Sequence, residues 1–341
     1  MNGPGEDAPP GRWPRPPLWL VVTLALLLMV ATALVSIVGP VVVENWTVER
    51  LRERPDVAFY WGSGEVSWST GLITEIRKPT RRQIELKADF PRDLLPLLTR
   101  IRHVKSLGFA GRHFRDEDLA ICRRLPVLEN VWLTDVSFSA DGYRHLEGLT
   151  FDYLSLSNMT IPAGALATIS KLPRLKYFLT FDSTYAESDF ASFQSHPALE
   201  WMILENNPPS SRLNLSATDL ETIGSMPALE IVNLKFAGVA NEELSHLPST
   251  MRLKKLNLRG KEITDEGLAG LQVDPEVLWV CGTSITFGPS TETWLRSRKR
   301  CRKINVTFQG ISPERIQYLN TLGPAQLYED DQSPGGGLPS P

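Results

Sequence analysis

Apolar residues return in columns along most of the chain. In Leu253–Leu271, LKKLNLRGKEITDEGLAGL, Leu253, Leu256 and Leu258 stand at places one, four and six. Ile263 follows at place eleven, and Leu268 and Leu271 form an i, i+3 pair behind Thr264-Asp265. Aligning first positions on this stretch gives Arg81, Val104, Leu128, Phe151, Leu175, Leu199, Leu229, Leu253, Pro275 and Cys301. The intervals are 23, 24, 23, 24, 24, 30, 24, 22 and 26 residues. Fourth positions read Ile84, Leu107, Val131, Leu154, Phe178, Met202, Val232, Leu256, Leu278 and Ile304. Sixth positions read Leu86, Phe109, Leu133, Leu156, Thr180, Leu204, Leu234, Leu258, Val280 and Val306, where only Thr180 is polar. Helical pairs recur downstream: Leu119/Cys122, Tyr143/Leu146, Leu166/Ile169, Phe190/Phe193, Leu220/Ile223 and Ile316/Leu319.

A short strand, a turn and a short returning helix at this period make one leucine-rich repeat. One such unit cannot bury its apolar face alone and stacks on its neighbours. The pattern therefore predicts an α/β solenoid of about ten units over residues 81–328, a horseshoe with a parallel concave sheet and convex helices. The one long interval comes from Glu205–Leu213, ENNPPSSRL, whose prolines and serines predict a protruding loop.

Upstream the pattern changes. Residues 1–17 are rich in Pro and Gly and are expected to form a disordered tail. Leu18–Val43 runs for 26 residues without a charge. At ~1.5 Å per helical residue it exceeds a hydrocarbon core of ~30 Å, so we read 18–43 as an uncleaved single-span signal-anchor. Ala31-Thr32-Ala33 imitates the exit of a cleaved signal peptide but lies inside the apolar run. Arg12 and Arg15 precede the span and Arg50, Arg52 and Arg54 follow it, so charge alone does not orient it. Residues 44–80 are expected to be a juxtamembrane segment and N-terminal cap. In it, Val57–Trp61 and Glu65–Trp68 flank Gly62-Ser63-Gly64 as a hairpin, and Phe59, Tyr60, Trp61 and Trp68 cover the first repeat. Residues 329–341, EDDQSPGGGLPSP, are expected to be a disordered C-terminal tail.

Composition narrows the function. A net charge of −3 and a pI near 6 carry no nucleic-acid footprint, and none is expected as a partner. Cys122, Cys281 and Cys301 form no CxxC motif and read as small buried apolar residues. His103, His113, His145, His196 and His246 lack metal-ligand spacing, and no GxSxG, Walker-type or GxGxxG motif occurs. We expect no enzyme, no cofactor and no metal. The basic run Arg296–Lys303 falls between two strands, where a solvated convex face is the ordinary outcome.

The residues that carry information point away from the core. Strand side chains alternate, so third, fifth and seventh positions face the concave surface. There the chain places Trp132, Tyr153, Tyr177, Leu179, Phe181, Trp201 and Ile203, extended by Ile231 and Trp279. Strands stack ~4.8 Å apart, so these residues form a contiguous, accessible patch of the kind that binds partners. Lys235, Lys254, Lys255 and Arg259 make a basic neighbour. The expected partner is a protein or peptide; an envelope scaffold without a specific ligand is the alternative.

The ITDEGLAGL stretch resembles ribonuclease-inhibitor-like repeats, and the whole arrangement resembles membrane-anchored leucine-rich repeat proteins abundant in some bacteria. The resemblance spans roughly Leu18–Leu322 and implies the solenoid fold, a binding role and an extracytoplasmic repeat domain with Met1–Pro17 in the cytoplasm. The chain departs from that class at the ninth position, where Asn is usual: Asn207 conforms, whereas Val136, Met159 and Ala237 do not.

Overall fold

The computed structural model describes residues 18–61, 82–101, 103–185, 189–206, 213–307 and 309–329. Among the described residues fourteen strands appear in chain order: β1 (Val57–Trp61), β2 (Arg82–Leu86), β3 (Val104–Ala110), β4 (Asn130–Thr134), β5 (Tyr153–Ser157), β6 (Thr160–Ile161) and β7 (Tyr177–Phe181). They continue as β8 (Thr184–Tyr185), β9 (Trp201–Glu205), β10 (Ile231–Lys235), β11 (Lys255–Arg259), β12 (Val277–Trp279), β13 (Lys303–Asn305) and β14 (Gln326–Tyr328). Twelve of them form one sheet in the order β1-β2-β3-β4-β5-β7-β9-β10-β11-β12-β13-β14; β6 and β8 pair separately. The chain is a leucine-rich repeat solenoid preceded by a long apolar helix.

The repeat columns set the sheet register. Leu107, Val131, Leu154, Phe178 and Met202 are successive Cα partners, and Val232, Leu256, Leu278, Ile304 and Leu327 continue the row. All are buried, most of them fully. Short helices and 3₁₀ turns return each unit on the other side of this core, with Leu119, Tyr143, Leu166, Phe190, Leu220 and Leu268 buried. Thr180 keeps its place because β8 supplies a partner: the Tyr185 hydroxyl donates to Thr180 Oγ1 at 2.6 Å.

The units are also tied by polar clamps between one repeat and the next. Asp116 accepts from Ser139 N at 2.9 Å and from Ser139 Oγ at 2.5 Å. Asn241 Oδ1 accepts from Thr264 N at 2.9 Å while its Nδ2 donates to Thr264 Oγ1 at 2.8 Å. Asp265 accepts from Thr286 N, Thr286 Oγ1, Gly288 N and Thr291 Oγ1. Burial alone would push the Asp265 carboxyl up, but these four donors together hold it below the usual carboxylate range.

A further regularity lies just past the strands. Asp135, Asn158 and Asp182, with φ of 51°, 52° and 49°, and Gly111, Gly260 and Gly282 all occupy the left-handed region at the eighth position. Asn, Asp and Gly tolerate that conformation best. At the ninth position Val136, Met159 and Ala237 are buried, so the turn packs apolar side chains where a polar ladder is usual. Asn207 lies outside the described residues, as do the other residues of 207–212 within the Glu205–Leu213 insertion.

At the N-terminal end, helix α1 (Leu18–Arg52) runs unbroken from the apolar stretch through residues 44–52. Over Val22–Arg52 it is long and apolar enough to cross a membrane, with a mean hydropathy of 2.6 in its apolar window. Its last turns bury Thr47, Val48 and Leu51. The partner of β1 is β2, antiparallel, with Val57 opposite Leu86. The hairpin strand expected at Glu65–Trp68, and Trp68 as a capping side chain, lie outside the described residues. At the other end β14 adds one strand more than the columns predicted, with Leu327 buried.

Candidate functional site

The concave face divides into two halves by the chemistry of its rows. The third row runs Asn130, Tyr153, Tyr177, Trp201, Ile231, Lys255 and Val277. The fifth runs Trp132, Ser155, Leu179, Ile203, Asn233, Asn257, Trp279 and Asn305. From β4 to β9 the face is mostly aromatic and aliphatic; from β10 to β13 Asn233, Lys255, Asn257 and Asn305 interleave with Ile231, Val277 and Trp279.

Four rings join the first half into one ladder. The centroids of Trp132 and Tyr153 lie 5.9 Å apart, those of Tyr153 and Tyr177 6.4 Å, and those of Tyr177 and Trp201 5.0 Å. The first and last contacts are edge-to-face, at 64° and 77°, the arrangement the ring quadrupole favours. All four side chains are half-buried, as is Phe181 beside them. Burial pushes the Tyr153 phenol up, partly offset by hydrogen bonding with Trp132 and Ser155; burial and then Glu200 do the same at Tyr177.

Leu179 and Ile203 correct the expectation of accessibility. By alternation they lie on the face opposite Phe178 and Met202, and they do not join the contiguous core, yet they are 0% and 1% exposed. They sit mid-strand, directly beside one another, flanked within the sheet by the larger side chains of Tyr177, Trp201 and Phe181. They are the floor of the patch, and the half-buried rings are its more exposed part. Trp279 is a second departure: Asn233 and Asn257 stand between it and Ile203 in the fifth row, so it does not extend the ladder. Its ring instead carries Lys255, whose Nζ is 3.7 Å from the centroid.

The basic neighbour is not uniform. Lys235 pairs with Glu205 across β9 and β10, and Lys254 pairs with Glu230 at 2.7 Å. Lys255 and Arg259 have no such partner among the described residues. The amide row was not singled out from the sequence, although the change from Ile203 to Asn233 and Asn257 at one column was the available signal. The Arg296–Lys303 run is partly structural: Arg298 donates to the carbonyls of Leu271 and Val273, and Arg300 pairs with Glu276 at 3.3 Å.

The three cysteines are buried and form no disulfide among the described residues, and burial pushes the thiols of Cys122 and Cys301 up to about 12. His196 uses both ring nitrogens on backbone, Nε2 with Leu172 O at 3.2 Å and Nδ1 accepting from Leu199 N at 3.1 Å. Among the described residues no three His, Cys, Asp or Glu side chains converge as a metal site.

No family profile and no curated protein matches the chain. Among solved structures it is similar to an internalin from Listeria monocytogenes, at 13% identity over 72% of this chain and 78% of that one, with a TM-score of 0.39. It is also similar to the mouse RP105/MD-1 complex, at 18% identity over 69% of this chain and 44% of that one, with a TM-score of 0.40.

Proposed function

We propose that this protein is a membrane-tethered, non-catalytic interaction module that binds a protein or peptide partner on its concave face. The observation that carries this reading is the ring ladder Trp132–Tyr153–Tyr177–Trp201, held on a buried floor of Leu179 and Ile203. Partly exposed aromatic side chains in a row supply large contact area at small entropic cost, and such residues dominate binding hot spots. Phe181 belongs to the same surface; Trp279 marks a separate locus three strands beyond Ile203. Helix α1 is the tether, and the repeats lie on the extracytoplasmic side of a single span. Continuity of α1 into the cap, with Leu51 buried, supports a solenoid held close to the membrane surface.

Crosslinking in native membranes followed by affinity purification tests this directly. The wild-type chain is compared with a Trp132→Ser/Trp201→Ser variant shown by circular dichroism to be folded at the assay temperature. A partner captured by the wild type and lost from the variant supports the reading. If the physiological role survives both replacements, the chain is a scaffold that needs no ligand on this face.

A further inference from the structure

Cations on and beside the concave strands mostly end on carboxylates. Lys105 meets Glu129 at 2.5 Å, Lys176 meets Glu200 at 3.1 Å, Lys254 meets Glu230 at 2.7 Å, and Lys235 meets Glu205. Two cations of β11 break this rule. Lys255 only caps the Trp279 ring, and Arg259 only overlies the Phe236 ring, 5.1 Å from its centroid. Neither meets a carboxylate among the described residues, and Arg259 Nε is buried without any hydrogen-bond partner. Both side chains are half-buried.

A partly desolvated cation without a counter-charge is a free-energy cost, relieved when an anion arrives. The surroundings point the same way. In the neighbouring amide row Asn305 Nδ2, a donor on a side chain only 1% exposed, also lacks a partner among the described residues, while Asn233 Oδ1, likewise unpartnered, is an acceptor suited to a peptide N–H. Beneath Arg259, Phe236 holds a φ of 52° at the column position where other units use Asp, Asn or Gly. A bulky residue is strained there, and retained strain of this kind clusters at binding sites.

We propose that Lys255 and Arg259 receive the carboxylates of an acidic peptide whose apolar side chains lie on the ladder from Trp132 to Trp201. This rests on the reading that the concave face binds a polypeptide. From β4 to β11 the face spans ~24 Å at ~4.8 Å per strand, which about seven extended residues cover. The order is fixed by the sheet: apolar anchors over β4 to β9, acidic residues over β11. Stacked nucleobases fit less well, because Trp132 and Tyr153, and Tyr177 and Trp201, pack edge-on against each other, and Glu205 stands between the ladder and Arg259.

The test presents a random dodecapeptide phage library to the full chain in nanodiscs. The expected consensus joins aromatic or aliphatic residues to Asp or Glu. The synthetic consensus peptide should then bind roughly tenfold more weakly to Lys255→Gln/Arg259→Gln, with a loss that shrinks at high salt. Its Gln-for-acid analogue should bind wild type and variant alike, and both peptides should lose affinity for Trp201→Ser. A separate readout needs no ligand: Lys255→Met leaves the melting temperature unchanged or raises it, because an unpaired cation is removed. Apolar peptides enriched without acids overturn this inference and leave the concave reading standing. Enrichment of no peptide overturns this inference and leaves a folded protein as the partner of the concave face; peptides indifferent to Trp201→Ser overturn both. Oligo(dT) or anionic vesicles retained through Lys255 in place of acidic peptides, or a lowered melting temperature for Lys255→Met, also overturn the inference.

Discussion

Asn241 and Gly267, one repeat apart, occupy complementary space. A Cβ built on Gly267 would lie 2.8 Å from the Asn241 amide carbon and closer still to Oδ1, the atom that receives Thr264 N. Gly142 stands in the same relation to Asp116, the clamp on Ser139. The glycine of the DEGL stretch is therefore a space for the polar clamp of the preceding unit. Helix propensity alone favours alanine over glycine by about 1 kcal/mol. Gly267→Ala is nonetheless expected to destabilise the solenoid by roughly 1–3 kcal/mol, the usual cost of overpacking. Asn241→Ser should make the same substitution close to harmless. Urea denaturation of the single and double variants checks the coupling, and simple additivity would refute the clamp.

Thr180 and Tyr185 give a second coupled pair. Thr180→Val fills the sixth-position column with an ordinary apolar residue, yet it strips the Tyr185 hydroxyl of its 2.6 Å partner. Leaving that group unsatisfied costs about 1–3 kcal/mol, whereas removing both polar groups is nearly neutral. Thr180→Val should thus destabilise and Thr180→Val/Tyr185→Phe should recover most of the loss, measured as unfolding midpoints in one double-mutant cycle.

The scaffold was legible because the fourth and sixth columns are what the sheet register is made of: Leu154, Phe178 and Met202 meet as the period required. Side-chain alternation also told which way Leu179 and Ile203 point. It could not tell how deeply they lie, because depth depends on the size of diagonal neighbours on other strands. Electrostatic pairing was illegible for the same reason. Lys235 and Lys255 look alike in sequence, and only the strand opposite each decides that Glu205 is present for one and Trp279 for the other. Strand β14 was missed because its apolar content is little more than Leu327, too short a run to separate from the tail.

Acid is expected to loosen the repeats in two steps. Burial holds the His196 imidazole below its ordinary pKa, against a smaller opposite pull from Leu172 O. The folded chain therefore favours neutral histidine, so this stability is full above the unfolded value of about 6.5 and is lost as pH falls toward the folded value. Asp265, held low by its four donors, contributes stability that is full above its unfolded value of about 3.9 and is lost below it. Melting temperatures recorded from pH 7 to 3 should decline first below 6.5 and again below 4. Asp265→Asn should flatten only the second decline, and a unchanged profile for that variant would contradict the assignment.

Trp201 and Met202 are neighbours with opposite roles. Met202 is fully buried between Phe178 and Val232, so Met202→Ala should cost roughly 2–5 kcal/mol of stability as a core truncation. Trp201 is half-buried on the other face and meets Tyr177 edge-on, a contact worth about 0.5–1.5 kcal/mol beyond area burial. Trp201→Ala should therefore cost less stability than Met202→Ala. In binding the order reverses: hot-spot truncations lose about 2 kcal/mol or more, nearly thirtyfold in Kd. Met202→Ala, where folded, leaves the rings in place and should bind within a few-fold of wild type. Calorimetric binding of the crosslinked partner, paired with denaturation of the same two variants, separates the roles. If Trp201→Ala unfolds the solenoid while the folded fraction binds as wild type, the ladder is structural and the concave face is not where the partner docks.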